Sequence, residues 1–563
     1  MNTTTQRAGS ALRCAATCLA VLAGVLSVLI LRSGRALAAE AAITIEQQDN
    51  LDATYDAYCL FLADIDENDV ATHVTWASDD AREAVLGFLS TTGYDDWLAQ
   101  EHAGTAKRGL AQHAAEYLAA QIGASSSSKM AATEQVAPDG SSFASRLARH
   151  IAASSLQPQK AAQGEPFCAA EGYWLFVTSP SAMGQDVDAG TAPIWVPLGG
   201  SASRIVEKTS VPSVDKQVWD ESLDAWGTVA DAHVGQAVIY RLVGTLPQSF
   251  ASYDTYHYAF RDHLSEGLEL AVPAGSTLAD SLQVTIDDTP VAIDGTSLSA
   301  SLEANTLFVE FSDLKSEHWA NYRIGPQSRI CVTYRARLTD KAVVGSRGNP
   351  NDVVLIYTND PVSRGEGESE PRRNKLFTYA LRLRKLAQDG HSSLSGAEFV
   401  VRRTGDRQDD QALFVQKDGT LGKEPHAFVT NGEGIIALSG LDAGTYAIAE
   451  TKAPEGYAQL THEIVVSIAS ELDDQELALA NLKASVDAGD AQVEHIDAEA
   501  GLVTLAVTNR ALPPGQTDAR RLAQTGVGPV GSTLLLAGMG TLGISRLTRA
   551  HTSQSRRHRR RTA

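Results

Sequence analysis

The chain has 563 residues, with 47 Lys or Arg against 68 Asp or Glu and a formal net charge of −21. So acidic a polymer is not built to bind nucleic acid or an anionic membrane surface. Its length suggests about three domains of roughly 150 residues each, and five cysteines are too few for a disulfide framework.

Taken in chain order, the first segment is 1–38. Arg7 and Arg13 precede an apolar stretch from Ala15 to Leu31, and Ala36-Leu37-Ala38 follows as a small-x-small cleavage site. This is the pattern of a secretory signal peptide. Four of the basic residues lie in it, and seven more lie after Gly526, where no acid occurs. The exported part therefore holds 36 basic against 68 acidic residues. Removal of the signal also takes Cys14 and Cys18, leaving Cys59, Cys168 and Cys331. Cys59 and Cys168 could pair, or both could be small buried thiols.

Residues 39–205 mix periodicities. Ala42 to Ile45 and Tyr58 to Phe61 read as strands, as does Tyr173 to Phe176. Val85, Phe88 and Leu89, and then Phe143, Leu147 and Ile151, mark single apolar helix faces. Ser125 to Ser128 and Ala137 to Gly140 read as a polar loop between helices. An N-terminal α+β domain is expected. Residues 206–362 are nearly all strand and turn. Val238, Tyr240 and Leu242 alternate, and so do Ile330, Val332, Tyr334, Ala336 and Leu338, which suggests an immunoglobulin-like sandwich. Residues 363–375 are charged, contain Gly and Pro and lack an apolar stripe, so they read as a linker. A third β domain spans 376–510, and 511–521 with Pro513-Pro514-Gly515 reads as an extended spacer. The expected fold class is mostly β, with tandem immunoglobulin-like β-sandwiches preceded by an α+β domain.

The third domain carries a chemical pattern. Strand side chains alternate faces, so Phe377, Tyr379, Leu381, Leu383 and Lys385 share one face, and it is apolar. By the same parity Tyr446, Ile448 and Glu450 face inward, and so do Val503, Leu505, Val507 and Asn509. A lysine, a carboxylic acid and a carboxamide thus point into one core. Burial favours the uncharged forms of lysine and carboxylic acid. A neutral amine can attack a carboxamide carbon while the acid polarises the carbonyl and carries protons to departing ammonia. The product is a Lys–Asn amide cross-link that needs no cofactor.

Tyr446 to Tyr457 (YAIAETKAPEGY) resembles the E-box of Gram-positive pilins. Leu394 to Phe399 resembles the strand after their reactive lysine, and Val507-Thr508-Asn509 their closing strand. The domain resembles a collagen-adhesin B-type repeat. The resemblance implies Lys385 as nucleophile, Asn509 as electrophile and Glu450 as catalytic acid. The middle domain shows a parallel set. Pro212 to Val218, Gly235 to Pro247, Tyr256 to Leu268 and Tyr357-Thr358-Asn359 resemble an isopeptide-forming pilin middle domain, implying Lys216, Asp262 and Asn359. The Tyr-Pro-Lys-Asn motif that usually supplies a polymerising lysine to shaft pilins is missing, and Lys208 is a candidate by position only.

Residues 522–563 close the chain. Leu522-Ala523-Gln524-Thr525-Gly526 precedes an apolar run from Val527 to Ile544 and a basic tail at Arg556 to Arg561. A run of that length holds a chain in a bilayer, with the arginines on the cytoplasmic side. The order resembles a cell-wall sorting signal cut by sortase between Thr and Gly. Ala523 stands where the commonest motif has Pro, and resembles a variant used by another sortase class. The resemblances imply a pilus subunit on the Gram-positive cell wall, partnered by sortase, by other pilin subunits or a peptidoglycan cross-bridge, and by a host or bacterial surface ligand. The alternative is a monomeric wall-anchored adhesin with a ligand-binding N-terminal domain. An enzyme is disfavoured: zinc-protease, nucleophile-elbow and P-loop motifs are absent. Neither a metal site nor a cofactor is expected.

Overall fold

The computed structural model describes residues 40–46, 53–66, 70–102, 109–122, 143–181, 189–191, 193–200, 204–206, 211–363, 365–404 and 413–513. The expected signal peptide, Lys208 and the sorting signal lie outside these residues. Among the described residues no helix is long and apolar enough to cross a membrane.

The first domain is built on the strand Thr54–Ile65, which pairs with Ala71–Trp76 on one side and Gly172–Thr178 on the other, with Ile194–Leu198 beyond. Four helices, Asp79–Leu89, Tyr94–Glu101, Ala111–Ile122 and Phe143–Ala152, cover one face. The first of them starts where sequence chemistry says it should. Ser78 Oγ accepts from the Ala81 amide at 3.0 Å, and Asp79 and Asp80 occupy the first turn. Val85, Phe88, Leu147 and Ile151 pack on Tyr58 and Leu175, as their periodicity requires. The opposite face packs under Glu40–Glu46, with Ile43, Ile45 and Phe167 against Tyr55, Trp174 and Phe176. Cys59 and Cys331 are free thiols, so Cys59 does not pair with Cys168.

Two sandwiches follow. In the middle one, Ser213–Asp220, Ala237–Thr245 and Arg329–Leu338 are neighbours in one sheet. Tyr258–Leu264 and Asn349–Thr358 are neighbours in the other. In the last sandwich, Ile435–Leu441, Tyr379–Ala387, Leu502–Asn509 and Ala491–Asp497 form one sheet, and Glu398–Thr404, Gly444–Lys452 and Ile464–Asp473 lie in the other. The chain is mostly β, as expected.

The stretch read as a linker is not one. Glu366–Glu368 and Arg372–Phe377 both pair with Asn349–Thr358, and Val229–Asp231 joins the latter in parallel. Its charges misled because they sit on the solvent face, where Arg373 pairs with Asp352 at 2.6 Å and Arg261 with Glu368 at 2.6 Å. Asn374 and Leu376 face inward, fully buried. Only Thr378 separates this strand from Tyr379–Ala387, so one nearly continuous strand runs through both sandwiches.

That joint is tight. Val229 packs into the apolar core of the last sandwich, Thr228 Oγ1 donates to the Asp474 carbonyl at 2.6 Å, and the Ser346 amide donates to Glu499 O at 3.0 Å. Gly345 and Gly501 meet there with φ of 88° and 63°. A Cβ on Gly345 would stand 2.4 Å from Glu499 O. Gly345→Ala should therefore lower stability by about 1–3 kcal/mol, read as an earlier urea midpoint for a protein of otherwise wild-type spectrum.

Candidate functional site

In the last sandwich the inward parity holds for all three chemical residues. Lys385 is fully buried, Asn509 is 1% exposed and Glu450 5%. The first and last strands of this sandwich are parallel neighbours, with Lys385 opposite Val507 and Ala387 opposite Asn509. Asn509 is thus the same-face diagonal neighbour of Lys385, within reach of a long side chain. Glu450 reaches them from the facing sheet. Lys385 Nζ donates to Asn509 Oδ1, and Asn509 Nδ2 donates to Glu450 Oε1 and Oε2 at 2.9 and 3.1 Å. Lys385 Nζ lies 3.2 Å from Glu450 Oε1. The Leu460 amide holds Glu450 Oε2 at 2.8 Å, and Phe399 lies under the amine at 5.3 Å. The amide oxygen faces the amine and the amide nitrogen faces the carboxyl. Attack would then form a bond from Nζ to Cγ while the carboxyl stands where the departing nitrogen needs its proton.

Burial pushes the Lys385 ammonium down to about 8, with Glu450 opposing the shift. The amine is therefore partly neutral close to physiological pH.

In the middle sandwich the structure brings Lys216 and Asp262 together and leaves Asn359 apart. Lys216 and Asp262 are 1% and 0% exposed, and Lys216 Nζ donates to Asp262 Oδ1. Burial lowers the Lys216 pKa, while Asp262 acts in the other direction. Asn359 lies beyond the far end of the Asn349–Thr358 strand. Asp262 is opposite Val353, six positions earlier, or about 20 Å along a strand at roughly 3.3 Å per residue. The Asn359 carbonyl instead accepts from the Gly190 amide at 2.6 Å, at the boundary with the first domain. Arg149 Nη1 donates to Pro361 O at 2.9 Å and Ser145 Oγ to Ser252 O at 2.7 Å at the same boundary.

A carboxamide linked to the pair through Tyr334 is Asn351, fully buried and opposite Leu264. Its Nδ2 donates to Tyr334 Oη at 2.7 Å. Tyr334 Oη in turn donates to Asp262 Oδ2 and lies 3.4 Å from Lys216 Nζ. Asn351 Oδ1 has no hydrogen-bond partner, a costly state for a buried carbonyl. Parity could not separate the candidates, because Asn351 and Asn359 share a strand face. Strand register decides between them, and a single sequence does not show it. Tyr334 was read in the sequence only as one position of an alternating strand. Among the described residues no cluster of three or more metal-ligating side chains occurs.

Residues 380–483 match the family described as SpaA, a prealbumin-like fold domain. The match lies within the last sandwich, which is thus similar to a SpaA prealbumin-like fold domain. Among curated proteins the chain is similar to the trypsin-resistant surface T6 protein of Streptococcus pyogenes serotype M6, at 26% identity over 276 residues, 45% of each chain. The match spans less than half the length of that relative. Among solved structures, the T6 backbone pilin of serotype M6 Streptococcus pyogenes aligns over 86% of this chain and 100% of its own, with 16% identity and a TM-score of 0.48. The full-length major pilin SpaD of Corynebacterium diphtheriae covers the same shares, with 13% identity and a TM-score of 0.43.

The depressed lysine gives a pH signature. In Asn509→Ala no bond can form and Lys385 stays titratable. Its folded pKa of about 8 lies below the unfolded value of about 10.4. Between those values the unfolded chain binds more protons, so stability rises with pH. Denaturant titrations of this variant should show a gain of about 2–3 kcal/mol between pH 7.5 and 10.5, relative to the wild type.

Proposed function

We propose that this protein is a cell-wall-anchored pilus subunit whose two sandwiches each close an internal Lys–Asn amide bond. The observation that carries this reading is the fully buried contact of Lys385, Asn509 and Glu450 across the first and last strands of one sandwich. The prealbumin-like match over that sandwich and the likeness to a streptococcal surface protein support it.

In the reaction, neutral Lys385 Nζ attacks Asn509 Cγ. Glu450 takes the proton that Nζ gives up and passes it to Nδ2, which leaves as ammonia. The chemistry turns over once, and the protein is otherwise not an enzyme. In the middle domain Lys216 is the nucleophile, Asp262 the proton carrier and Asn351 the electrophile, replacing Asn359. Sortase cleaves between Thr525 and Gly526, and the Thr525 carbonyl passes to the wall or to an amine of another subunit. Gly526 admits the enzyme closely at the scissile bond. Lys208 remains the positional candidate for that amine. Partners are therefore sortase, peptidoglycan or further subunits, and a host or bacterial ligand for the first domain.

Intact-mass measurement of recombinant 39–525 should find the chain lighter by two molecules of ammonia. Asn509→Ala and Asn351→Ala should each show one loss, and Asn359→Ala should keep both. A wild-type mass equal to the sequence mass removes the cross-linking assignment. Retention of both losses in Asn351→Ala restores Asn359. Glu450→Ala should fold without the last-domain bond. Lys385 and Asn509 lie 124 residues apart, and by analogy with disulfide closure of such a loop the variant should be less stable by on the order of 4–5 kcal/mol.

Attachment is tested separately. In the native host Thr525→Ala should empty the wall fraction and leave a membrane-bound precursor. The wild type should give a ladder of sortase-dependent polymers on immunoblots. A single wall-bound species would favour the monomeric adhesin.

A further inference from the structure

The joint between the two sandwiches contains a buried acidic pair that the cross-linking chemistry does not use. Asp231 ends the Val229–Asp231 strand of the middle domain, and Asp442 sits in the turn after Ile435–Leu441 of the last domain. Each is 3% exposed. Asp231 Oδ2 accepts from Tyr379 Oη at 2.8 Å and from Ser470 Oγ, both of the last domain. Asp442 Oδ2 accepts from Arg403 Nη2 at 2.7 Å, and its backbone carbonyl accepts from Tyr446 Oη at 2.8 Å. Asp442 Oδ1 is buried with no donor group to serve it. Asp231 lies beside the Asp442 turn: its strand runs on to Val234, whose amide donates to Gly440 O, and Tyr379, which donates to Asp231, pairs with Leu441. With both acids ionised, Asp442 Oδ1 would stay buried without a donor beside a second charge; a proton held between the two acids removes that cost.

The surroundings fit one proton and no more. Arg403 is the cation facing Asp442, and it balances one carboxylate. Glu221, from the turn after the Lys216 strand, adds a further acidic neighbour. Tyr379 and Tyr446 face the pair as neutral phenols, since burial raises both hydroxyls. His233, two residues beyond Asp231, is pushed down to about 4 by burial and by Arg403, so it is neutral over most of the range. Burial first and Asp231 second push the Asp442 carboxyl well above the usual carboxylate range, against Arg403.

We propose that Asp231 and Asp442 share one proton across the domain joint and act as a pH-dependent clasp between the middle and last sandwiches. The acid has a raised pKa when docked. Its contribution to docking is therefore complete below the free carboxylate pKa of about 4 and is lost as pH rises through the docked value. The joint is tightest in acid and loosens toward alkaline pH, while each sandwich keeps its own core.

Native-state hydrogen exchange on the exported chain tests this. The reporter amides are Ala232, bonded to Phe377 O, and Val234, bonded to Gly440 O. The control is Leu246, bonded to Ser328 O inside the middle sandwich. After correction for intrinsic rates, protection of the reporters relative to the control should fall about tenfold or more from pH 5 to pH 9. Asp442→Asn keeps the shape and supplies a permanent donor, so its reporters should be flat across that range. Asp231→Asn should behave alike and serves if the first variant does not fold. Infrared spectra at pH 7 should contain a protonated-carboxyl band that both variants lose. The proposal is overturned by wild-type reporters that track the control, by absence of that band, or by a foldable Asn variant with undiminished pH dependence.

Discussion

A lysine amine with no exposed surface, in the core of a β-sandwich, is the constraint around which both later domains are arranged. An ammonium there is expensive unless it is matched by a carboxylate, shed as a proton, or consumed. Lys385 and Lys216 each meet a buried carboxyl, so the cost is contained before any bond forms. Matching alone would leave a buried ion pair, which an apolar core could replace with little loss. A carboxamide in each network would change that balance, because an amide between Nζ and Cγ would remove both the charge and the amine from the core.

Position within the sheet gives the site mechanical meaning. The Lys385 strand opens its sandwich and the Asn509 strand closes it, and the two run parallel side by side. A pull on the carboxy-terminal end would reach Asn509 and, through a bond there, pass directly to the opening strand. That strand continues through Thr378 into Arg372–Phe377, which pairs with the Asn351 strand. The intervening strands of the last sandwich stay out of this path. A flexible linker at 363–375 would have let the sandwiches swing; the observed strand and the Gly345–Gly501 approach hold them in one orientation.

What the sequence disclosed follows from which physical signals are local. Alternation along a strand is local, and it placed Lys385, Glu450 and Asn509 on inward faces with no knowledge of the sheet. The helix faces of the first domain were legible for the same reason, through Phe88, Leu147 and Ile151. Register is not local. Asn351 and Asn359 have equal parity, and only the pairing of Asp262 with Val353 separates them. The 363–375 stretch failed for another reason. Arg373 and Glu368 sit on the solvent face of a sheet, where charge is permitted, and a window dominated by that face looks like a loop. Tyr334 was legible as one position of an alternating strand but not as a relay, because a buried phenol signals bulk before it signals hydrogen bonding.

The two sites also differ in the length of the acid, and the difference accounts for Tyr334. Glu450 contacts both the lysine and the carboxamide directly. Asp262 has one methylene fewer and contacts the lysine, but its second oxygen binds the Tyr334 hydroxyl, which receives the Asn351 amide. The phenol fills the gap left by the shorter acid and ties the same three groups into one network. It sits among Tyr240 and other buried rings, where burial holds its proton firmly on the oxygen. Tyr334 can therefore orient the carboxamide and donate to Asp262. The middle site thus links a lysine, an acid and a carboxamide through a phenol, where the longer Glu450 touches its partners directly.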